Sequence, residues 1–376
     1  MLDFLTSDEM KNYLKTQKET DKWIDCPISK CSVYVEEDAR SKIDTTEISE
    51  ESILDCISDT GLFLKFYDKN KRKCVVIPLR YTAIATLFSR AGVGGRSFYN
   101  TEERAGMRIL PLKEKAAFLT KCLKLYDETC KVLVRDEKVS AVLSNVYAVL
   151  PMYDLEESIS HLLEREYPMS KLQNGQITHE YISLVWNLNE EDMENELKDR
   201  IEEFGGFAKE VTSSLKFVTS DIGNANASVF PYFTVDGNML RCGKPIEIKH
   251  MGKKTVEDFA KKLPQLNSMF KNDIDRLSKL YDIEIHHPAD CFRAIAKYVG
   301  LPKKLSMKLA TEMEHMTKCT AFEIYFHLHD IMNVAQDQND SMTVTTMLRL
   351  QESVASTLYL NFKDFDYPFA WNKGEE

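Results

Sequence analysis

Hydrophobic and polar positions follow two different periods along this chain. Between residues 61 and 252 the apolar residues come mostly in short runs separated by charged or glycine-containing turns, which predicts strands and hairpins. The runs 62–67 and 74–77 flank a polar turn, and the valines of 132–143 flank an Asp-Glu pair. After Gly252 the spacing becomes helical. The pattern therefore predicts an α+β fold with a mixed, largely antiparallel sheet core and a helical C-terminal region.

Two local motifs give the most definite structural predictions. Asp236-Gly237 follows a β-rich run from 228 to 235, and this dipeptide is typical of a tight two-residue hairpin turn. Thr255 and Asp258 form a variant of the capping box, with Asp in the place of Glu, and predict a long helix to about residue 281. Within 253–363 we expect no strand longer than three residues. Further helices are predicted over 303–315, 318–336 and 342–360.

Charge is distributed unevenly along the chain. Residues 1–60 hold seven Lys or Arg and fifteen Asp or Glu, whereas 61–131 hold fifteen and six. We therefore expect an acidic N-terminal segment (1–60) that packs against a mixed α+β core (61–252), followed by the helical C-terminal region (253–376). The net charge of the whole chain is −10, which excludes a uniformly basic DNA-binding protein.

Cysteine usage and hydropathy indicate the compartment. The N-terminus has neither the basic start nor the apolar run of a secretory signal, and no stretch approaches the ~18 apolar residues of a membrane span. The nine cysteines are odd in number and scattered, which argues against a disulfide framework. We expect a cytoplasmic protein without disulfides or membrane contact. The oligomeric state is left open, a homo-oligomer included.

A basic segment interleaved with aromatic residues is the main candidate for a binding surface. Guanidinium groups neutralise phosphates and aromatic faces stack on unpaired bases, so such a mixture favours single-stranded nucleic acid over a duplex. The alternative is that these cations pair with the carboxylates of residues 1–60. The candidate residues are Lys71, Arg72, Lys73, Arg80, Arg90, Arg96, Phe98, Tyr99, Arg104 and Arg108.

The sequence carries no complete catalytic motif. The glycine-rich stretch 91–99 lacks the third glycine of a dinucleotide fingerprint and the Gly-Lys-Ser/Thr of a P-loop. His315, Cys319, Glu323 and His327 recur at four-residue steps, but one straight helix cannot wrap four ligands around one ion. We therefore predict neither a cofactor nor a metal site and no catalytic residues. The acidic stretch 190–203 is interpreted as a solvated face, with mimicry of DNA phosphates as the alternative.

Several short motifs in the second half of the core resemble a known family. The stretches 219–223 (TSDIG), 227–231 (ASVFP), 242–246 (CGKPI) and 249–252 (KHMG) resemble the "phage/plasmid-like" proteins of unknown function, over roughly residues 130–300. The resemblance implies a mobile genetic element near recombination, replication or anti-defence genes. It makes Ser220, Asp221, Gly223 and His250 candidate site residues. The alternative for the Ser-Asp element is capping of a turn by side-chain oxygens.

Three functions follow from these observations. The basic segment favours a non-enzymatic nucleic-acid-binding protein of a phage or plasmid, which assists recombination or replication on single-stranded DNA. The net charge favours an acidic protein that binds and inhibits a host defence system or nuclease. The histidine spacing alone favours a metal-dependent enzyme.

Overall fold

The computed structural model describes residues 2–4, 6–94, 110–178, 181–203, 208–242, 244–338 and 344–369. Across these residues the protein has an α+β fold with mostly antiparallel sheets and C-terminal helices, which confirms the predicted fold class. The strands are β1 (Leu2–Phe4), β2 (Lys22–Pro27), β3 (Ser32–Val35), β4 (Leu62–Asp68), β5 (Lys73–Pro78), β6 (Thr129–Arg135), β7 (Lys138–Ser144), β8 (Lys171–Ile177), β9 (Ile182–Asn187), β10 (Val211–Thr219), β11 (Ala227–Val235), β12 (Asn238–Arg241), β13 (Ile246–Ile248), β14 (Glu284–Ile285) and β15 (Cys319–Thr320). The α-helices are α1 (Ser7–Thr20), α2 (Glu36–Ala39), α3 (Glu50–Asp59), α4 (Tyr81–Arg90), α5 (Leu112–Leu123), α6 (Met152–Glu166), α7 (Glu191–Glu203), α8 (Val256–Ala260), α9 (Leu266–Tyr281), α10 (Pro288–Tyr298), α11 (Lys303–Glu312), α12 (Ala321–Gln338) and α13 (Val344–Ser356).

Four antiparallel sheets organise the described part of the chain. The largest has seven strands in the order β1-β8-β9-β10-β11-β12, and β13 also pairs with β11. Two three-stranded sheets, β2-β6-β7 and β3-β4-β5, are built from the first 144 residues, and β14 pairs with β15. The acidic segment 1–60 therefore supplies strands to three different sheets rather than forming a separate layer.

Hairpin turns form where the sequence predicts them. Asp236 and Gly237 connect β11 to β12 with φ of 48° and 84°. Asp136 and Glu137 connect β6 to β7 with φ of 48° and 61°. Positive φ at both central residues is the type I′ geometry, whose twist matches that of the flanking strands. Both hairpins are confirmed, as is the one between β4 and β5.

Two large apolar cores lie under these sheets. The first runs from Ile24 to Val142 and joins the two three-stranded sheets to α3, α4 and α5. The second begins with Met10 and Leu14 of α1, continues at Leu150 and ends at Phe362, and it covers one face of the large sheet with helices. Side chains along β10 alternate between the two faces of the large sheet. Leu215 and Phe217 point into the second core, so Lys216 between them lies on the opposite face.

The helical C-terminal region differs from the sequence prediction in two places. The long helix predicted from Thr255 to about residue 281 is wrong, because Pro264 lies in a 3₁₀ turn (Leu263–Gln265) between α8 and α9. The capping box at its start is confirmed: the Asp258 backbone N–H donates to Thr255 Oγ1 at 3.3 Å, and the Thr255 N–H donates to the Asp258 carboxylate at 3.1 Å. The helix predicted from 318 begins only at Ala321. Among the described residues of 253–363, β14 and β15 are two residues long, which confirms that no longer strand is present.

Candidate functional site

A cleft of about 480 Å³ lies where α4, the end of β7, the link between β10 and β11, and the segment after β13 meet. The sequence-predicted residues Gly223 and His250 both line it, and Ser220 and Asp221 precede the lining residues of the β10–β11 link. The structure therefore brings all four family-motif candidates to one place, although 30 positions separate the first from the last.

Ser220 holds the turn that shapes one wall of the cleft. It is fully buried, and its Oγ accepts backbone N–H groups from Ile222 and Asn224, both at 3.3 Å. Gly223 sits within this turn at φ +79°, a conformation that strains other residues. A Cβ at this position would meet only Leu143 and Tyr147, both at ordinary contact distance, so the backbone angle is what requires glycine. The geometry matches turn capping rather than an exposed nucleophile.

Asp221 holds the same turn through a buried ion-pair triad that it forms with Arg135 and Asp21. Arg135 of β6 contacts Asp21 through Nε at 2.8 Å and Nη2 at 2.5 Å, and its Nη2 also lies 2.6 Å from Asp221 Oδ2. Side-chain exposure is 2% for Arg135 and 9% for each carboxylate. Burial raises the pKa of Asp21 and of Asp221, and the contacts of both carboxylates with Arg135 offset only part of this rise. Burial alone would lower the pKa of Arg135, but its bonds to both carboxylates outweigh this and keep it charged.

His250 is held neutral in an aromatic stack. Its Nδ1–H donates to the Ala148 carbonyl at 3.2 Å, and Nε2 accepts from the Thr219 hydroxyl at 3.1 Å. The ring stacks on Tyr147 at 5.2 Å, and Tyr147 stacks in turn on Trp23 at 5.8 Å. Burial lowers the pKa of His250 to about 4. Since both ring nitrogens are engaged, His250 supports the cleft wall rather than acting as a general base.

The lining of the cleft combines apolar side chains with cations and neutral polar groups. Arg90, at the end of α4, and Lys249 contribute charge, while Asn224 and Asn226 contribute amides. No carboxylate occurs among the described lining residues. Val146 and Met251 also line the cleft, are 53% and 62% exposed, and offer apolar contact area. Such a surface suits an anionic ligand that also has flat apolar parts.

Two cations at the hairpin tip of the basic segment form ion pairs with carboxylates, whereas Arg90 lines the cleft. Lys71 forms an ion pair with Glu47, and the Lys73 ammonium lies 3.0 Å from Asp44. These contacts are the pairing with residues 1–60 that the sequence left as an alternative. Arg80 pairs with Asp136 at 3.0 Å. Arg72 is exposed in the turn between β4 and β5. The remaining candidates lie outside the described residues: Arg96, Phe98, Tyr99, Arg104 and Arg108.

The sequence reasoning missed several residues that build the site. Arg135 and Tyr147 lie in or just after a predicted hairpin, and nothing in their local pattern indicates that they reach the Ser-Asp turn. Asp21 caps the C-terminus of α1, and Trp23 lies in β2, a strand that the sequence pattern does not predict. Arg135 lies just outside the basic stretch 61–131, so the pairing expected between that stretch and residues 1–60 does not predict its contact with Asp21.

The histidine spacing does not produce a metal site. His315 precedes the helix and Cys319 belongs to β15, so the four residues do not lie on one helix, and His327 instead lies 2.7 Å from Asp330. Among the described residues, one group has metal-ligand geometry. Its sulfurs all lie within 4.8 Å of one another, buried in the first core: Cys26, Cys31 and Cys130. Three thiols are one fewer than the ligands of a structural zinc site. All nine cysteines are free, and the closest of these sulfurs are 3.4 Å apart.

Comparisons with known proteins identify no relative of this chain. No family model, no curated protein and no solved structure matches the chain. The resemblance to phage and plasmid proteins therefore stays a prediction. None of the helices in the described ranges is long and apolar enough to cross a membrane.

Proposed function

We propose that this protein is a non-enzymatic nucleic-acid-binding protein that holds single-stranded DNA in the cleft beside the Ser-Asp turn, in the setting of a phage or plasmid. The observation that carries the proposal is the charge of the cleft. In a chain with net charge −10, the described lining residues include Arg90 and Lys249 but no carboxylate. A local excess of positive charge in an acidic protein favours a polyanionic ligand at that place.

The polar groups around the two cations fit a single strand better than a duplex. Asn224 and Asn226 carry amides that both donate and accept, as unpaired base edges require. The apolar side chains of Val146 and Met251 offer exposed contact area for bases. Because the wall behind them is fixed by the Arg135 triad and by the stack on Tyr147, the cleft is preorganised.

Fluorescence anisotropy with a labelled oligo-dT of about 12 nucleotides tests the proposal. Two neutralised phosphates on a single strand predict a log–log salt slope of about −1.4. The double variant Arg90→Ala/Lys249→Ala should weaken binding and bring the slope towards zero. The matched control is Lys71→Ala/Lys73→Ala, which removes two cations already paired with carboxylates and should leave both quantities unchanged.

The result also separates two versions of nucleic-acid binding. If the hairpin variant loses binding and the cleft variant retains it, the basic segment binds through its hairpin tip and the cleft proposal is wrong. If the wild-type protein shows no salt-dependent binding to the single strand, the nucleic-acid function itself is wrong.

One helix favours the second candidate, an acidic inhibitor of a host protein. Helix α7 buries only one apolar stripe, made of Met193, Leu197 and Ile201. Its other faces present carboxylates to solvent, at residues 191, 192, 196, 199, 202 and 203. Such a row could occupy a basic DNA-binding groove. A nuclease-protection assay in host extract tests this function, with Glu196→Gln/Asp199→Asn as the variant expected to lose protection.

A further inference from the structure

Arg241 is buried, and its guanidinium group has no hydrogen-bond partner in the part of the chain that the structure describes. It ends β12, is 4% exposed, and none of its three guanidinium nitrogens meets an acceptor among the described residues. Its backbone, in contrast, is fully held: the N–H donates to His329 Nε2 at 3.2 Å, and the carbonyl accepts from the Tyr325 hydroxyl at 2.5 Å. The backbone of Arg241 is therefore held in place, but its guanidinium group lacks hydrogen-bond acceptors among the described residues. A buried charge without such partners is strongly unfavourable.

A second cation lies on the same face of the large sheet. The Arg241 guanidinium stacks on Phe230, with 3.5 Å between its carbon and the ring centroid. Phe230 is the direct cross-strand partner of Lys216, so both side chains project from the face opposite the second core. Burial, together with the charge of Arg241, lowers the pKa of Lys216 to about 8. Two cations on this polar face thus repel each other.

A cavity of about 190 Å³ opens to solvent beside Phe230, the ring on which the Arg241 guanidinium stacks. It is lined by Phe230, Ser228, Arg349 and Glu352, and it shares the link between β10 and β11 with the cleft on the other side. Its volume is well above the ~30 Å³ that one water molecule occupies. Arg349, exposed at the cavity, adds a third positive charge, and Glu352 is the single carboxylate among the described lining residues.

We propose that Arg241 and Lys216 form a second anion-binding site that takes a phosphate group, entered through the cavity lined by Arg349 and Glu352. Three cations against one carboxylate leave two excess positive charges, which matches the −1.5 to −2 charge of a phosphate monoester at neutral pH. The planar guanidinium presents a fork of donors that fits phosphate oxygens. Burial also raises the pKa of Glu352, which weakens its repulsion of an anion. This site is separate from the cleft and does not depend on the proposed function.

Thermal unfolding in phosphate, compared with chloride at equal ionic strength, tests the site. The wild-type Tm should rise by about 2 °C or more with phosphate. Arg241→Met should raise the Tm in chloride, because an unpaired buried charge is removed, and should abolish the phosphate-specific rise. Arg241→Lys keeps a charge and should retain part of that rise. The matched control is Arg276→Met, since Arg276 also stacks on an aromatic ring, that of Tyr359, but on the exposed side of α9.

Phosphate also stabilises proteins non-specifically, so the difference between variants is the deciding quantity. Equal phosphate responses in wild type, Arg241→Met and Arg276→Met would overturn the site. If Arg241→Met does not fold, Lys216→Met is used in its place, and the wild-type protein is titrated with inorganic phosphate in a calorimeter. The absence of any detectable heat of binding in this titration would overturn the site. Parallel titrations with a nucleoside 5′-monophosphate and with oligo-dT identify the source of the phosphate. Arg90→Ala/Lys249→Ala should leave the response intact, which separates this site from the cleft.

Discussion

Replacing Arg135 with methionine removes the only cation of the buried triad under the Ser-Asp turn. Three contacts of 2.5 to 2.8 Å disappear, and Asp21 and Asp221 remain buried without their counter-ion. Breaking a buried ion pair by removing one partner costs about 3–5 kcal/mol. We expect the free energy of unfolding at pH 7 to fall by this amount, measured by equilibrium denaturation in urea.

The pH dependence of this loss follows from the two carboxyls. Burial already raises the pKa of Asp21 and Asp221 in the native protein, and loss of Arg135 raises both further. An acid whose pKa is raised on folding contributes stability below its unfolded pKa, about 3.9, and loses it as the pH rises through the folded pKa. The variant should therefore approach the wild type in stability as the pH falls from 7 towards 4.

Lys131→Met provides the matched control, because Lys131 lies on the same strand and pairs with Asp25 at 3.1 Å. This pair is exposed, at 24% and 52%, so its loss should cost less than about 1 kcal/mol with little dependence on pH. Equal costs for the two variants, or a cost for Arg135→Met that does not change between pH 7 and pH 4, would refute the reasoning. Because the triad fixes the turn that lines the cleft, Arg135→Met should also weaken binding of the single strand.

Three further outcomes can be measured on single variants or on the wild type. The folded pKa of His250, about 4, lies below its unfolded value, so acid favours the protonated, unfolded chain. The wild type should therefore lose about 3 kcal/mol of unfolding free energy between pH 6.5 and 4, and His250→Gln should not show this loss. The same change of unfolding free energy with pH in both proteins, measured in urea, would contradict the prediction. Gly237→Ala should cost about 1–2 kcal/mol in the same assay, from its φ of +84° alone, because no heavy atom lies within 4 Å of the new Cβ. In a thiol-reagent assay Cys74, which is exposed, should react at once. Three buried thiols should react only as fast as the protein unfolds, and rapid reaction would show that their core opens locally: Cys26, Cys31 and Cys130.

Local patterns predicted local structure well. The Asp236-Gly237 hairpin and the Thr255 capping box depend on a few adjacent residues, and the structure shows both where the sequence places them. Strand β2 was not predicted because its residues, KWIDCP, alternate poorly and include a proline. Its pairing with β6, more than 100 residues later, is what makes it a strand. The predicted long helix is wrong at Pro264, because proline cannot donate the backbone hydrogen bond of a helix interior and the chain forms a 3₁₀ turn there instead.

The candidate site shows the same division between local and distant contacts. The motifs around Ser220 and His250 lie together beside one cleft, and the turn-capping alternative for Ser220 matches the hydrogen bonds observed. The partners that position them could not be predicted, because Arg135 and Tyr147 contact the turn across more than 70 residues of chain, through tertiary packing alone. A buried ion pair between distant strands has no signature in the sequence around either residue.

The distribution of charge in space differs from its distribution along the chain, and this difference decides where an anion can bind. The sequence places the largest positive excess at 61–131, yet Lys71 and Lys73 face Glu47 and Asp44, so the acidic segment neutralises that hairpin tip. Positive charge is left over where no carboxylate has folded against it. In the described part of the chain two such places are the cleft at Arg90, whose described lining holds no carboxylate, and the sheet face at Arg241, whose guanidinium has no hydrogen-bonded acceptor. Screening over about 10 Å at 0.1 M salt hides the remote negative charge from a ligand there, so an acidic protein can still bind a polyanion.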